Sequence, residues 1–164
     1  MANPIAHNPE DRYDSLFQYY GNKYAINWLL LKAQVQAESG FDPDAVSKVG
    51  AVGLAQFMQR TWDEWRDGTA GVQESPPNSA LDPRDPEDAI RAQAAYLAWL
   101  LRAFGGDVMA ALAAYNWGIG RVREARAHWA PDEWIWRAPR ETRDYVKRIL
   151  GSTILSTING RLAP

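Results

Sequence analysis

Apolar positions recur along most of this chain at spacings of three and four residues, the period of a helix with one buried face. The clearest series is Ile90, Ala94, Leu97, Leu101 and Phe104. It follows Asp85-Pro86-Glu87-Asp88, where a capping side chain, a first-turn proline and an acidic first turn mark a helix start, and Gly105-Gly106 stops it. Asp107 then caps a further helix containing Ala110, Ala111, Ala113 and Ala114, whose small side chains let neighbouring backbones come close. That helix is expected at the centre of the packing. Upstream, Asn8-Pro9 with Glu10 and Asp11 predicts a short amphipathic helix running to Gly21. No Gly or Pro interrupts residues 24–39, and Leu31, Val35 and Glu38 share a helix face, so a carboxylate ends an apolar stripe that Gly40 and Pro43 close.

Residues 45–53 are too rich in glycine and small side chains for regular structure and are expected to form a folded loop. Thr61-Trp62-Asp63-Glu64 fits a capping box, with a hydroxyl at the cap and a carboxylate three positions on, and predicts a short helix from Thr61 to near Gly68. Residues 69–84, with Pro76, Pro77 and Pro83, are expected to form a longer loop. Helices over residues 121–129 and 140–150 complete the set, separated by a Trp- and Pro-bearing segment; the tail after Gly151 extends the last helix or frays. No strand-like alternation competes. The expected class is mostly α, as one domain over residues 1–164.

A chain of 164 residues that is 46% hydrophobic can bury a core without covalent staples. It has no cysteine and only His7 and His128, so disulfides, thiolate zinc sites and Cys/His dyads lack their raw material. No metal or cofactor is expected, and chemistry must rest on carboxylates, hydroxyls and amides. The net charge of −2 is unevenly spread: residues 1–90 hold 7 Lys/Arg against 14 Asp/Glu, and residues 91–164 hold 11 against 6. A basic half can hold a protein near a polyanionic envelope, although charges on solvated helix faces account for the same numbers.

Glu38 is the candidate that matters. A carboxyl on an apolar face at a helix C-terminus is kept protonated both by burial and by the negative end of the helix dipole. An acid with its pKa raised to about 6–7 is the proton donor that glycoside cleavage requires. Position alone does not distinguish it from a solvated glutamate at a helix end. The residues C-terminal to it do: Glu38-Ser39-Gly40-Phe41-Asp42-Pro43-Asp44-Ala45-Val46-Ser47, then Gly50-Ala51-Val52-Gly53-Leu54-Ala55-Gln56-Phe57-Met58 and Thr61. Farther on stand Ala113-Ala114-Tyr115-Asn116, and Glu141-Thr142 with Tyr145-Val146. In this order, over residues 25–149, these motifs closely resemble the soluble lytic transglycosylase family.

The resemblance implies an α-helical, goose-lysozyme-like fold with a glycan cleft. It implies cleavage of the β-1,4 bond between N-acetylmuramic acid and N-acetylglucosamine in peptidoglycan, with Glu38 as general acid and then general base. Ser39, Ser47, Gln56, Met58, Tyr115, Asn116 and Glu141 match positions that line or support the cleft. The motifs name no second carboxylate. The resemblance implies instead that the muramic acetamido group assists and that the 6-hydroxyl attacks, leaving a 1,6-anhydro end.

The residue types have physical reasons. Gly50 and Gly53 offer positive φ or close backbone approach to a sugar, Gln56 and Asn116 each present a donor and an acceptor, and Tyr115 can bring a hydroxyl to the reacting centre while its ring packs. Simpler readings stand beside these: glycines that shape a loop, a glutamine that satisfies backbone, a tyrosine in the core, and a Glu141 placed by the helix dipole. Asp42 and Asp44 are explained by the turn at Pro43. Trp62, Trp65 and Trp117 are candidates for stacking on sugars, while Trp28 and Trp99 are expected in the core. Ala55 stands where the family often has Met, and Trp117 where a small residue is usual.

The expected partner is peptidoglycan, with no nucleic acid, no stable membrane insertion and a monomeric chain. The N-terminus lacks a signal-peptide pattern, and no apolar stretch, Trp28 to Leu31 among them, is long enough to span a bilayer. The expectation is therefore a phage endolysin held in the host cytoplasm until released to the periplasm, or a module carried in a phage particle. The rivals are a goose-type muramidase, which would release reducing ends, and a non-catalytic wall-binding or virion structural module, against which the intact Glu38 argues.

Overall fold

A computed structural model describes residues 9–66 and 81–162. Among these, the α-helices are α1 (Asp14–Tyr24), α2 (Trp28–Ser39), α3 (Gln59–Arg66), α4 (Pro86–Ala103), α5 (Val108–Trp117), α6 (Ile119–His128) and α7 (Arg140–Leu162), with 3-10 turns at Pro9–Asp11 and Trp134–Arg137. The mostly α class expected from the periodicity is the one observed.

The polar side chains at the helix starts act as their sequence positions suggest. Asp85 accepts from the backbone N–H of Glu87 and Asp88, Asp107 from that of Ala110, and Asn27 from that of Leu29. Gly40 ends α2 in the left-handed conformation, its N–H bonded to the Gln36 carbonyl. The alanine-rich α5 is the central helix: Ala110, Ala111, Leu112, Ala113 and Ala114 are all fully buried, and α5 packs on α4, α6 and α7. On the other side α2 packs against α7, α1 and α4, which brings its C-terminal end, and Glu38, onto α7. No helix among the described residues is long and apolar enough to cross a membrane.

Several boundaries differ from the sequence expectation. The first helix begins at Asp14, behind the 3-10 turn, and runs through Gly21 to Tyr24. Gly21 continues the helix, and only a glycine fits there: a Cβ would come within 2.9 Å of the Ile26 carbonyl and of Trp28, so its bareness admits the return of the chain. Asn8 lies outside the described residues. Helix α3 begins at Gln59, so Thr61 is inside it: the Trp62 N–H is bonded to the Met58 carbonyl, and Asp63 and Glu64 pair with Gln59 and Arg60 one turn earlier. These i,i+4 pairs, rather than a capping box, organise the first turn. Gly68 and residues 69–80 lie outside the described residues. The last helix extends to Leu162. The loop over residues 45–57 is pinned by two isolated antiparallel bridges, Val46 with Val52 and Val52 with Phe57.

Candidate active site

The loop after α2 folds back onto the end that carries Glu38. Ser39 makes this possible: its hydroxyl bonds the Leu54 carbonyl at 3.0 Å and the carbonyl of Val35, one turn back in α2, at 3.3 Å. The loop then closes on itself, with the Gly53 N–H on the Ala45 carbonyl and Gln56 Nε2 donating to the carbonyls of Ala45 (3.2 Å) and Gly53 (2.9 Å). Both amide hydrogens of Gln56 are thus used on backbone, which leaves Oε1 as its group for a ligand. Gly53 has the positive φ that was one of its two expected reasons, +78°, and a Cβ there would also lie 1.9 Å from the Pro83 carbonyl oxygen, so the close approach it permits is to that backbone. Ser47 accepts from the Ala51 N–H and Gly50 donates to the Ser47 carbonyl, which makes a tight turn at the cavity edge.

The loop, α2, α5 and α7 enclose a cavity of about 320 Å³. Glu38, Ser47, Gln56, Met58, Tyr115, Asn116 and Glu141 line it, which brings together every candidate from the family motifs except Ser39; that residue acts from behind, by holding the loop. A neighbouring cavity of about 230 Å³ shares Gln56, Met58, Tyr115 and Asn116 and adds Trp117. Tyr145 and Arg148 of α7 also line the first cavity and were not singled out as site residues from the sequence. The signal was available: Glu141, Tyr145 and Arg148 are spaced 4 and 3 apart and share one helix face.

Glu38 is partly buried, and burial pushes its carboxyl up to about 7. The Tyr145 hydroxyl, 2.6 Å from Oε1, and the Arg148 guanidinium oppose that shift, while the charge of Glu141 adds to it. Burial first, and the charge of Glu38 second, push the hydroxyls of Tyr115 and Tyr145 well above the ordinary phenol value, so both stay protonated. Tyr115 donates to the Ala55 carbonyl at 3.1 Å while its ring packs edgewise on Tyr96 and tilted against Phe57. Asn116 Oδ1 accepts from the buried Thr142 hydroxyl at 2.7 Å, which leaves the Nδ2 hydrogens for other acceptors.

Other candidates fall elsewhere. Trp62 and Trp65 are 2% and 0% exposed, so their faces are not open to a sugar; they fill a second apolar cluster with Ala55, Phe57, Ala92 and Ala95. Trp117 lines the second cavity. Asp42 accepts from the Asp44 N–H in a local turn. Among the described residues no group of His, Cys, Asp or Glu is placed to hold a metal ion. The arrangement therefore offers a carboxyl that is half protonated near neutral pH, beside phenol, amide and hydroxyl groups suited to a polyhydroxylated ligand.

Comparison with known proteins gives the chain's family and fold. A family model described as a transglycosylase SLT domain matches residues 15–131. Peptidoglycan transglycosylase gp16 of Escherichia phage T7 is 33% identical over 142 residues, 87% of this chain and 10% of that protein. Membrane-bound lytic murein transglycosylase F of Pasteurella multocida is 31% identical over 135 residues, 76% of this chain and 24% of that protein. Among solved structures, an inactive mutant of lytic transglycosylase Slt from Pseudomonas aeruginosa matches with a TM-score of 0.76 at 30% identity, over 95% of this chain and 25% of that one. The 70 kDa soluble lytic transglycosylase of Escherichia coli gives 0.72 at 30% identity, over 87% and 24%. The chain thus spans between a tenth and a quarter of the length of these relatives. Glu141, Tyr145 and Arg148 lie beyond the stretch matched by the family model.

Proposed function

The chain belongs to the transglycosylase SLT domain family, and from that premise we propose that it is a peptidoglycan lytic transglycosylase acting on the β-1,4 bond between N-acetylmuramic acid and N-acetylglucosamine. The observation that carries this reading is the Glu38 carboxyl, held up at about 7 by burial in a cavity walled by amides, hydroxyls and a phenol. Such an acid retains its proton at the pH where the bond must be broken.

In the proposed reaction Glu38 gives its proton to the N-acetylglucosamine oxygen as the bond from muramic C1 to that oxygen breaks. The muramic acetamido oxygen supports C1. The 6-hydroxyl oxygen of the same muramic residue then bonds to C1, and its proton returns to Glu38. The sum is an intramolecular transglycosylation: one strand gives two, the N-acetylglucosamine oxygen leaves as a hydroxyl, and no water is consumed. While the carboxylate is bare, the Tyr145 hydroxyl stabilises it. Asn116 through Nδ2, Gln56 through Oε1 and Ser47 are assigned to sugar hydroxyls and acetamido groups, Met58 to an apolar sugar face, and Tyr115 to the wall that shapes the reacting centre. Every group named comes from one chain, so a monomer suffices. The likeness to a phage T7 protein supports a phage setting, as a released lysin or in a particle.

One observation favours a second reading. Glu141 lines the same cavity, and a second carboxylate could activate water, as in a muramidase. Mass spectrometry of digested sacculi separates the two: anhydro ends are lighter than reducing ends by about 18 Da, the mass of the water not consumed. The expected products are anhydro ends, and reducing ends would establish hydrolysis. Glu38→Gln is expected to keep folding and glycan binding while losing cleavage, and a variant that still clears purified peptidoglycan would overturn the role of Glu38.

A further inference from the structure

Two glutamines lie behind Tyr145 in the core: Gln34 of α2 and Gln93 of α4, both fully buried. Gln93 Nε2 donates to the Leu31 carbonyl and to Gln34 Oε1, each at 3.0 Å, and Gln34 Nε2 donates to the Tyr145 hydroxyl oxygen at 3.0 Å. The direction of this chain is fixed at its far end. A main-chain carbonyl can only accept, so the end of the Gln93 amide that meets Leu31 must be the nitrogen. Its other hydrogen goes to Gln34, whose facing atom must then be Oε1. The opposite end of Gln34, the nitrogen, therefore faces Tyr145 and donates to it. The hydroxyl has one hydrogen of its own, and Glu38 Oε1 at 2.6 Å is the acceptor beside it.

We infer that Gln93 and Gln34 are positioning residues that lock the Tyr145 hydroxyl as a donor to Oε1 of Glu38, so that the transferable proton of Glu38 resides on Oε2. Without the amides the hydroxyl could turn and accept from a protonated Oε1, and the acid would be directed into the core instead of towards substrate. Packing gives no reason for the pair. Among the described residues Gln93 Oε1 is buried without a partner, a desolvation cost that leucine or methionine would avoid. Of the groups facing Glu38, Arg148 and Glu141 on α7 bear charge, Tyr115 on α5 and Tyr145 on α7 are neutral phenols, and the loop contributes uncharged Ser47, Gln56 and Met58. The relay sets hydrogen-bond direction and leaves these charges unaltered.

The catalytic meaning of the relay rests on the proposed function, but its geometry does not. Neutron diffraction from deuterium-exchanged crystals of the whole chain, at a pH below the Glu38 midpoint, locates the hydrogens directly. The expected result is the Tyr145 deuteron aimed at Glu38 Oε1 and the carboxyl deuteron on Oε2. A Tyr145 deuteron aimed at Gln34, or a carboxyl deuteron on Oε1, overturns the inference whether or not the protein cleaves glycans. For the kinetic consequence, Gln34→Leu is expected to lower kcat by roughly tenfold, a part of the ~10²–10⁴-fold that a general acid supplies, with KM within about twofold. It should also move the high-pH limb of activity upward, because protonated Glu38 gains an acceptor. Gln93→Met should act in the same direction. In a Tyr145→Phe background Gln34→Leu should leave the pH profile where it is, since the path is already cut. An unchanged profile in folded Gln34→Leu, or an equal shift in both backgrounds, contradicts the relay.

Discussion

Glu38 is held in its neutral form by where it sits, and that has a consequence for stability as well as for chemistry. Its carboxyl titrates near 7 in the fold against an ordinary value of 4.5. Below 4.5 it is neutral folded and unfolded; between the two values the unfolded chain ionises while the fold keeps its proton, so stability falls as pH rises and levels off above about 7, with about 3 kcal/mol lost. Glu38→Gln removes this dependence. In chemical denaturation the variant is expected to be more stable than the parent by up to about 3 kcal/mol at pH values above the folded midpoint, and nearly equal to it below 4.5. An equal difference at all pH values would show that the carboxyl is not the titrating group. The sequence placed Glu38 at the end of an apolar helix face because stripe and helix end are both local signals, and the motifs that follow it singled it out from other glutamates. It did not separate ligand contact from backbone service at Gln56, because the Ala45 and Gly53 carbonyls that take both its amide hydrogens are brought to it only by the closed loop.

Among the elements, the loop between α2 and α3 carries the site, and its two motif glycines are not equivalent. Gly53→Ala would drive a methyl group to within 1.9 Å of the Pro83 carbonyl as well as straining φ, whereas Gly50→Ala strains φ at +85° with nothing within 4 Å. Gly50→Ala is expected to cost about 1–2 kcal/mol and Gly53→Ala clearly more, with loss of activity as the loop leaves Pro83. Equal costs in denaturant titrations would refute the close-approach argument. Asp85→Ala, which orphans two N–H groups at the start of α4 far along the chain from Glu38, is expected to cost about 1 kcal/mol and to leave turnover unchanged. Its Tm and rate together check both statements. Helix starts of this kind were legible because the cap and the capped groups are sequence neighbours. The start of α3 was not: the hydroxyl and carboxylate spacing of Thr61 and Glu64 fits a capping box, yet pairs one turn apart set the helix two residues earlier.

Over the whole molecule, the site exists because α2 and α7 pack together and bring Glu38 against Tyr145, 107 positions apart. Caps, stops and, in α2 and α4, the apolar spacing foretold where helices form, but pairing between helices is not encoded at any local spacing. For that reason the motif residues on the cavity wall were readable in advance and Arg148 could have been read from its spacing to Glu141 and Tyr145, while the bond from Tyr145 to Glu38 and the two buried glutamines emerged only with the packing. The central claim is that this packing alone, without a second charged partner bonded to Glu38, maintains a protonated acid at neutral pH. Titration of the Glu38 carboxyl carbon by NMR in the intact chain tests it most directly. The expected midpoint is about 7, with glycan cleavage falling as pH rises through the same value; a midpoint at the ordinary 4.5 would contradict the account.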